Sequence, residues 1–137
     1  VAEQVVLSTD ESPASPPDAG KPARILLVRH GVTAFTEQGR LDGRGGYDPD
    51  LTDAGRRQAQ RAAELVAGLV GDDPVQVVTS DLARARQTGA VIADRLGVAA
   101  EVDRDWDEQS FGDWDGASVS DLVAQAGDDF RALRDDR

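Results

Sequence analysis

Cysteine and methionine are both absent from the 137 residues, and Lys21 is the only lysine. Without cysteine there is no disulfide and no thiol chemistry, a usage that fits a cytoplasmic protein. Aromatic residues make up only 4% of the chain, and His30 is its one histidine. No apolar run is long enough to span a bilayer, and the first residues carry no signal-peptide pattern, so no membrane partner is expected. Positive charge is scarce as well, with a formal net charge of −11. So acidic a chain is a poor candidate for nonspecific nucleic-acid binding, and any bound anion has to be met by locally placed arginines.

The length leaves room for one domain. Ser8–Pro22 holds four of the six prolines among Ser, Asp, Glu and Gly, with no apolar periodicity. Such a stretch cannot bury enough surface to fold, so residues 1–22 are expected to be a linker or disordered tail and residues 23–137 the folded part. Val1–Leu7 could be the end of a preceding element. The chain starts with Val rather than Met, and is expected to begin inside a longer protein or to have been processed.

The folded part turns on Arg24-Ile25-Leu26-Leu27-Val28-Arg29-His30-Gly31. Its uninterrupted apolar residues predict a strand buried on both faces of a sheet, ending in a cation, an imidazole and a glycine. A glycine-rich loop follows to Asp50. Thr52 is placed to cap a helix whose Ala59, Ala62, Ala63, Val66 and Leu69 share one face and which ends near Gly71. Val75–Thr79 reads as a second strand, and Ser80 as the cap of a second helix that stops at Gly97. Val98–Val102 is a third, weaker strand; Val119–Leu133 reads as helical with an interruption at Gly127. Alternating strands and helices predict an α/β fold with a parallel sheet.

Each strand is followed by a group suited to phosphate chemistry: Arg29 and His30, then Arg84, then Glu108. In a parallel sheet these positions converge on one edge. A neutral imidazole is a competent nucleophile toward phosphorus, and guanidinium forks bind phosphoryl oxygens bidentately. The loop with Arg40, Asp42, Gly43 and Arg44 could bring backbone N–H groups to phosphate. Asp105, Asp107, Asp113 and Asp115 read as solvated surface charge. Trp106, Phe111 and Trp114 read as core or pocket wall.

Arg29-His30-Gly31, the Ser80-Asp81-Leu82-Ala83-Arg84-Ala85-Arg86-Gln87-Thr88 segment and Glu108-Gln109-Ser110-Phe111-Gly112-Asp113-Trp114-Asp115-Gly116 together resemble the histidine phosphatase superfamily, the phosphoglycerate mutase-like proteins. The resemblance covers roughly residues 24–116. It implies a three-layer α/β sandwich with a mainly parallel sheet, incomplete here at its C-terminus. It also implies a phosphomonoester hydrolase, of acid phosphatase or α-ribazole phosphatase type, without cofactor or metal, acting on a small phosphorylated substrate. His30 would become a phosphohistidine, with Glu108 as proton donor and acceptor and with Arg29, Arg84, Thr36 and Gly43 binding the phosphate.

Two positions depart from the commonest pattern: Thr36 stands where many members have Asn, and Asp42 where Gln is usual. Thr36 can still donate to a phosphate oxygen, whereas an ionised Asp42 cannot. The family's second active-site histidine follows a later strand, and no residue after His30 is histidine. The chain is therefore expected to be a fragment. The alternatives are a phosphoglycerate-type mutase, disfavoured by Gln109 and Phe111 where mutases have Arg and Tyr, and a noncatalytic phosphate-binding module should the protein end at Arg137. Gly43-Arg44-Gly45, Leu51-Thr52 and Gly55-Arg56-Arg57-Gln58-Ala59 resemble the phosphatase half of actinobacterial fusions with a ribonuclease H domain. In such a fusion nucleic acid would be a partner of the upstream domain only.

Overall fold

Thr52 opens the longest helix as its sequence demands: its hydroxyl accepts the Gly55 N–H, and Gly71 closes the far end. In order, the elements are β1 (Ala2–Val6), β2 (Ile25–Arg29), α1 (Ala34–Glu37), α2 (Asp53–Val70), β3 (Gln76–Thr79), α3 (Ala83–Leu96), β4 (Ala100–Val102), α4 (Val119–Gln125) and α5 (Gly127–Asp135). Single 3-10 turns lie at Arg104–Trp106 and Gly112–Trp114. This computed structural model describes residues 2–6 and 24–135. The expected proline-rich linker, Ser8–Pro22, lies outside them.

The sheet order is β2-β1-β3-β4. β1 pairs antiparallel with both β2 and β3, while β3 and β4 pair in parallel. Three strands thus run in one direction and β1 runs against them. The sheet is mixed rather than simply parallel, because Ala2–Val6 pairs into it instead of trailing as a tail. Gln4 and Val5 carry the register on both sides, facing Leu27 and Leu26 of β2 and Val78 and Val77 of β3.

The core lies between one sheet face and the pair α2–α3. Ala63, Val66 and Val70 of α2 meet Ile92 and Ala93 of α3 over Val77, with Leu26 and Val28 packed against them. Strand alternation puts Ile25 and Leu27 on the other face, where they are 57% and 60% exposed. The expectation that β2 is buried on both faces is corrected accordingly: among the described residues, helices cover only one side of it.

The second helix also starts later than expected. Ser80 does not cap it; Leu82 is the N-cap and offers no side-chain acceptor. The acceptor comes from elsewhere, since the Ala83 N–H donates to Asp48 Oδ1 at 2.8 Å. Gly97 ends the helix in the left-handed region at φ 70°, as its lack of a Cβ allows.

Ile92 is 1% exposed at the centre of the core, whereas Leu65 on the outer face of α2 is 70% exposed. Ile92→Ala should therefore cost about 2–5 kcal/mol in urea unfolding. Leu65→Ala should stay within about 0.5 kcal/mol of the parent.

Candidate active site

The site begins where β2 ends. Gly31 brings the strand terminus against the first turn of α2 so closely that a Cβ on it would collide with the Gly55 carbonyl. Its N–H donates to Thr88 Oγ1 at 3.1 Å, and the same hydroxyl donates to the Arg84 carbonyl at 2.8 Å. Thr88 is fully buried. One hydroxyl thus fixes the end of β2 to the first turn of α3, and so fixes His30 relative to Arg84. The Val32 N–H is taken by Gln58 Oε1 at 2.9 Å, which holds the next residue to α2.

His30 Nδ1 lies 2.8 Å from the Gly31 carbonyl. A carbonyl only accepts, so Nδ1 carries the proton and Nε2 keeps its lone pair. Arg84 Nε–H donates to that lone pair at 3.2 Å. Burial first, then the positive charges of Arg84 and Arg29, lower the His30 pKa to about 4, against the raising effect of the Gly31 hydrogen bond. The ring is neutral at neutral pH and has its lone-pair nitrogen turned toward a cation.

Arg84 is buried at the start of α3 and is bonded through all three nitrogens. Nη1 donates to Asp42 Oδ2 and Nη2 to the Asp42 carbonyl, both at 2.8 Å. Asp48 Oδ1 lies 3.9 Å from Nη1. Burial raises the Asp42 pKa, while Arg84 and the N–H groups of Tyr47 and Asp48 oppose that shift. Asp48 itself holds a positive φ of 47°, a conformation that Asp adopts more readily than most residues. Asp42 joins the site although it is not among the phosphate-binding residues that the sequence suggests. Its signal was there in the departure from Gln, but the partner lies 42 residues away.

The other expected residues are placed differently from one another. Arg29 is exposed at the end of β2, and its charge is felt at His30. Thr36 sits in α1, its hydroxyl 3.1 Å from that of Thr33 and its N–H on Thr33 Oγ1. The Gly43 N–H donates to Asp115 Oδ1 at 2.7 Å, so in this arrangement that donor is turned to the protein. Glu108 is half-buried and accepts the Gln109 N–H at 3.1 Å. Its neighbours tie it to the site loops: Asp107 accepts the Asp81 N–H at 2.7 Å, and the Gln109 carbonyl accepts the Arg44 N–H at 3.2 Å.

Those bonds correct the reading of Asp107 and Asp115 as solvated charge. The Asp107 side chain is almost wholly buried and also pairs with Arg44 at 3.3 Å. Trp106, expected in the core or a pocket wall, is 40% exposed. Among the described residues no group of three or more His, Cys, Asp and Glu side chains could hold a metal ion. No helix there is long and apolar enough to cross a membrane.

Fold and site together define an α/β protein whose sheet edge presents a neutral imidazole to a buried guanidinium. The chain belongs to the histidine phosphatase superfamily (branch 1), whose family model matches residues 25–137. It is similar to a glucosyl-3-phosphoglycerate phosphatase of Mycolicibacterium vanbaalenii, 37% identical over 113 residues that make up 82% of this chain and 48% of the relative. A bifunctional protein of Mycobacterium tuberculosis is 38% identical over 125 residues, 89% of this chain and 33% of that protein. Among solved structures, a mycobacterial glucosyl-3-phosphoglycerate phosphatase in complex with VO3 superposes with a TM-score of 0.68 at 35% identity, covering 77% of this chain and 50% of that one. The chain thus spans a third to a half of the length of these relatives.

Two outcomes follow from this geometry. Thr88→Val keeps the shape but orphans the buried Gly31 N–H, and should cost about 1–3 kcal/mol by denaturant unfolding, with Thr88→Ser recovering most of it. The His30 imidazole, followed by its NMR ring-proton shifts, should titrate with a midpoint near 4. An unfolded chain takes up that proton near pH 6.5. Acidification from about 6.5 to 4 should therefore remove stability, while raising the pH above about 6.5 should leave this contribution unchanged.

Proposed function

We propose that the protein is a phosphomonoester hydrolase working through a phosphohistidine on His30. The observation that carries this reading is the neutral imidazole with Nδ1–H held by the Gly31 carbonyl and Nε2 directed at Arg84. In the first step Nε2 attacks phosphorus and the ester P–O bond breaks. Glu108 gives its proton to the departing alcohol. In the second step water attacks the phosphohistidine, Glu108 takes the water proton, the P–N bond breaks and inorganic phosphate leaves. Arg84 and Arg29 offset the charge on the phosphoryl oxygens, with Thr36 and the Gly43 backbone as further contacts once the loop carrying them admits the substrate.

The relatives' glucosyl-3-phosphoglycerate chemistry supports a small phosphorylated substrate, and acid phosphatase or α-ribazole phosphatase activity stays within the same class. The exposed Ile25 and Leu27 support a three-layer sandwich for the whole domain, with a second helical layer over that sheet face. The bifunctional relative supports the reading of the chain as the phosphatase half of a fusion. The second active-site histidine would then come from sequence outside these residues.

The test is phosphate release from a panel of phosphomonoesters by the full-length gene product. His30→Ala should abolish release and the acid-labile phosphoenzyme. Arg84→Ala should lower kcat/KM on the order of 100-fold, about 3 kcal/mol in the transition state. Glu108→Gln should slow alkyl phosphates more than p-nitrophenyl phosphate, whose leaving group needs no proton. Release unaffected by His30→Ala would refute the assignment.

A further inference from the structure

Arg84, the buried cation of the site, is already occupied by an anion that belongs to the chain. The Arg84 and Asp42 side chains are 6% and 7% exposed, and their Nη1–Oδ2 contact is 2.8 Å. Asp42 supplies a second acceptor through its own carbonyl, so each terminal nitrogen of the guanidinium has a partner. The other carboxylate oxygen, Oδ1, accepts the N–H groups of Tyr47 at 3.0 Å and Asp48 at 3.3 Å. These two bonds turn the loop around the carboxylate and hold Oδ2 on Arg84. The arrangement is a built anion site filled from within. Asp48 adds a second negative charge 3.9 Å from the same nitrogen.

We propose that Asp42 sets the affinity of the site for phosphate: its carboxylate competes with the phosphoryl group for Arg84. The inference rests on the phosphatase reading above and deepens it. A phosphoryl dianion arriving at Arg84 meets a neutralised guanidinium and the field of Asp42, which water screens only weakly there. To be bound it must displace Oδ2 or share the cation with it. Free phosphate has only its own charge with which to do so. A phosphomonoester also has the contacts of its organic part. Asp42 therefore weakens binding of the inorganic product, which has no organic part to hold it at the site, and so limits product inhibition.

Asp42→Asn removes the charge at nearly constant volume and keeps an acceptor for the Tyr47 and Asp48 N–H groups. Asp42→Ser removes both the charge and the reach to Arg84. The experiment titrates inorganic phosphate into the full-length protein by calorimetry and measures phosphate inhibition of ester hydrolysis for the parent and both variants. Both variants should bind phosphate at least tenfold more tightly than the parent, with a matching fall in the inhibition constant. Damage to the fold would weaken binding, so a gain in affinity separates competition from a merely structural role. Unchanged or weaker phosphate binding in both variants, with the parent still hydrolysing esters through His30, would overturn the role of Asp42 and leave the phosphatase reading standing. Absence of phosphate binding and turnover in the parent and in both variants would overturn both.

Discussion

The guanidinium of Arg84 is the point at which the site's separate segments are joined. A buried cation in an acidic chain needs partners for its charge and its N–H groups, because an unpaired one would carry a large desolvation cost. Here the partners are His30 at the end of β2 and Asp42 in the loop after α1, while Arg84 itself opens α3. Three segments remote in sequence are thereby held by the hydrogen bonds of one side chain. Burial and, after it, the charge of Arg84 disfavour protonation of His30, and Asp42 offsets the charge of Arg84.

What holds that arrangement in register is small and polar. Gly31 and Gly55 let the strand end and the helix start meet backbone to backbone. Thr88 then uses one hydroxyl as acceptor and donor between Gly31 and Arg84. The abundance of aspartate takes on a structural meaning from the same viewpoint. Asp42 and Asp115 accept backbone N–H groups of the loop after α1, from Tyr47 and Gly43, and Asp107 and Asp48 accept those of Asp81 and Ala83 at the start of α3. Charge-assisted bonds of this kind are stronger than neutral ones, and they tie these loops to one another and to the start of α3. The negative charge of the chain is thus partly internal scaffolding rather than only a solvated coat.

Local patterns carried far in the sequence. The apolar spacing of Ala59, Ala63 and Val66, bounded by Thr52 and Gly71, defined α2 at both ends because caps and periodicity act within a few residues. β3, β4 and the break at Gly127 were visible for the same reason. α3 was legible as a helix but not in its start. Its first free N–H is satisfied by Asp48, 35 residues back in the chain, and no nearest-neighbour rule sees such a partner. The short helix α1 was missed, since a single turn held by Thr33 leaves no periodicity to count.

By itself, then, the sequence determined the order of elements after Arg24 apart from α1, most of the core face of α2, and the residue types at the carboxyl ends of the strands. These follow from periodicity, capping and the side-chain chemistry of His30, Arg84 and Glu108. Leu69, expected on the core face of α2, is exposed, and Val70 takes its place in the core. Only the tertiary structure decided which strand lies between β2 and β3, which sheet face is covered, and whose anion meets Arg84. Pairing of β1 depends on backbone hydrogen bonds that any residue but proline can make, so composition could not place Ala2–Val6. The bond from Asp42 to Arg84 depends on a loop folding back over a buried cation, and its cause is desolvation at that depth, which no linear reading of charge contains.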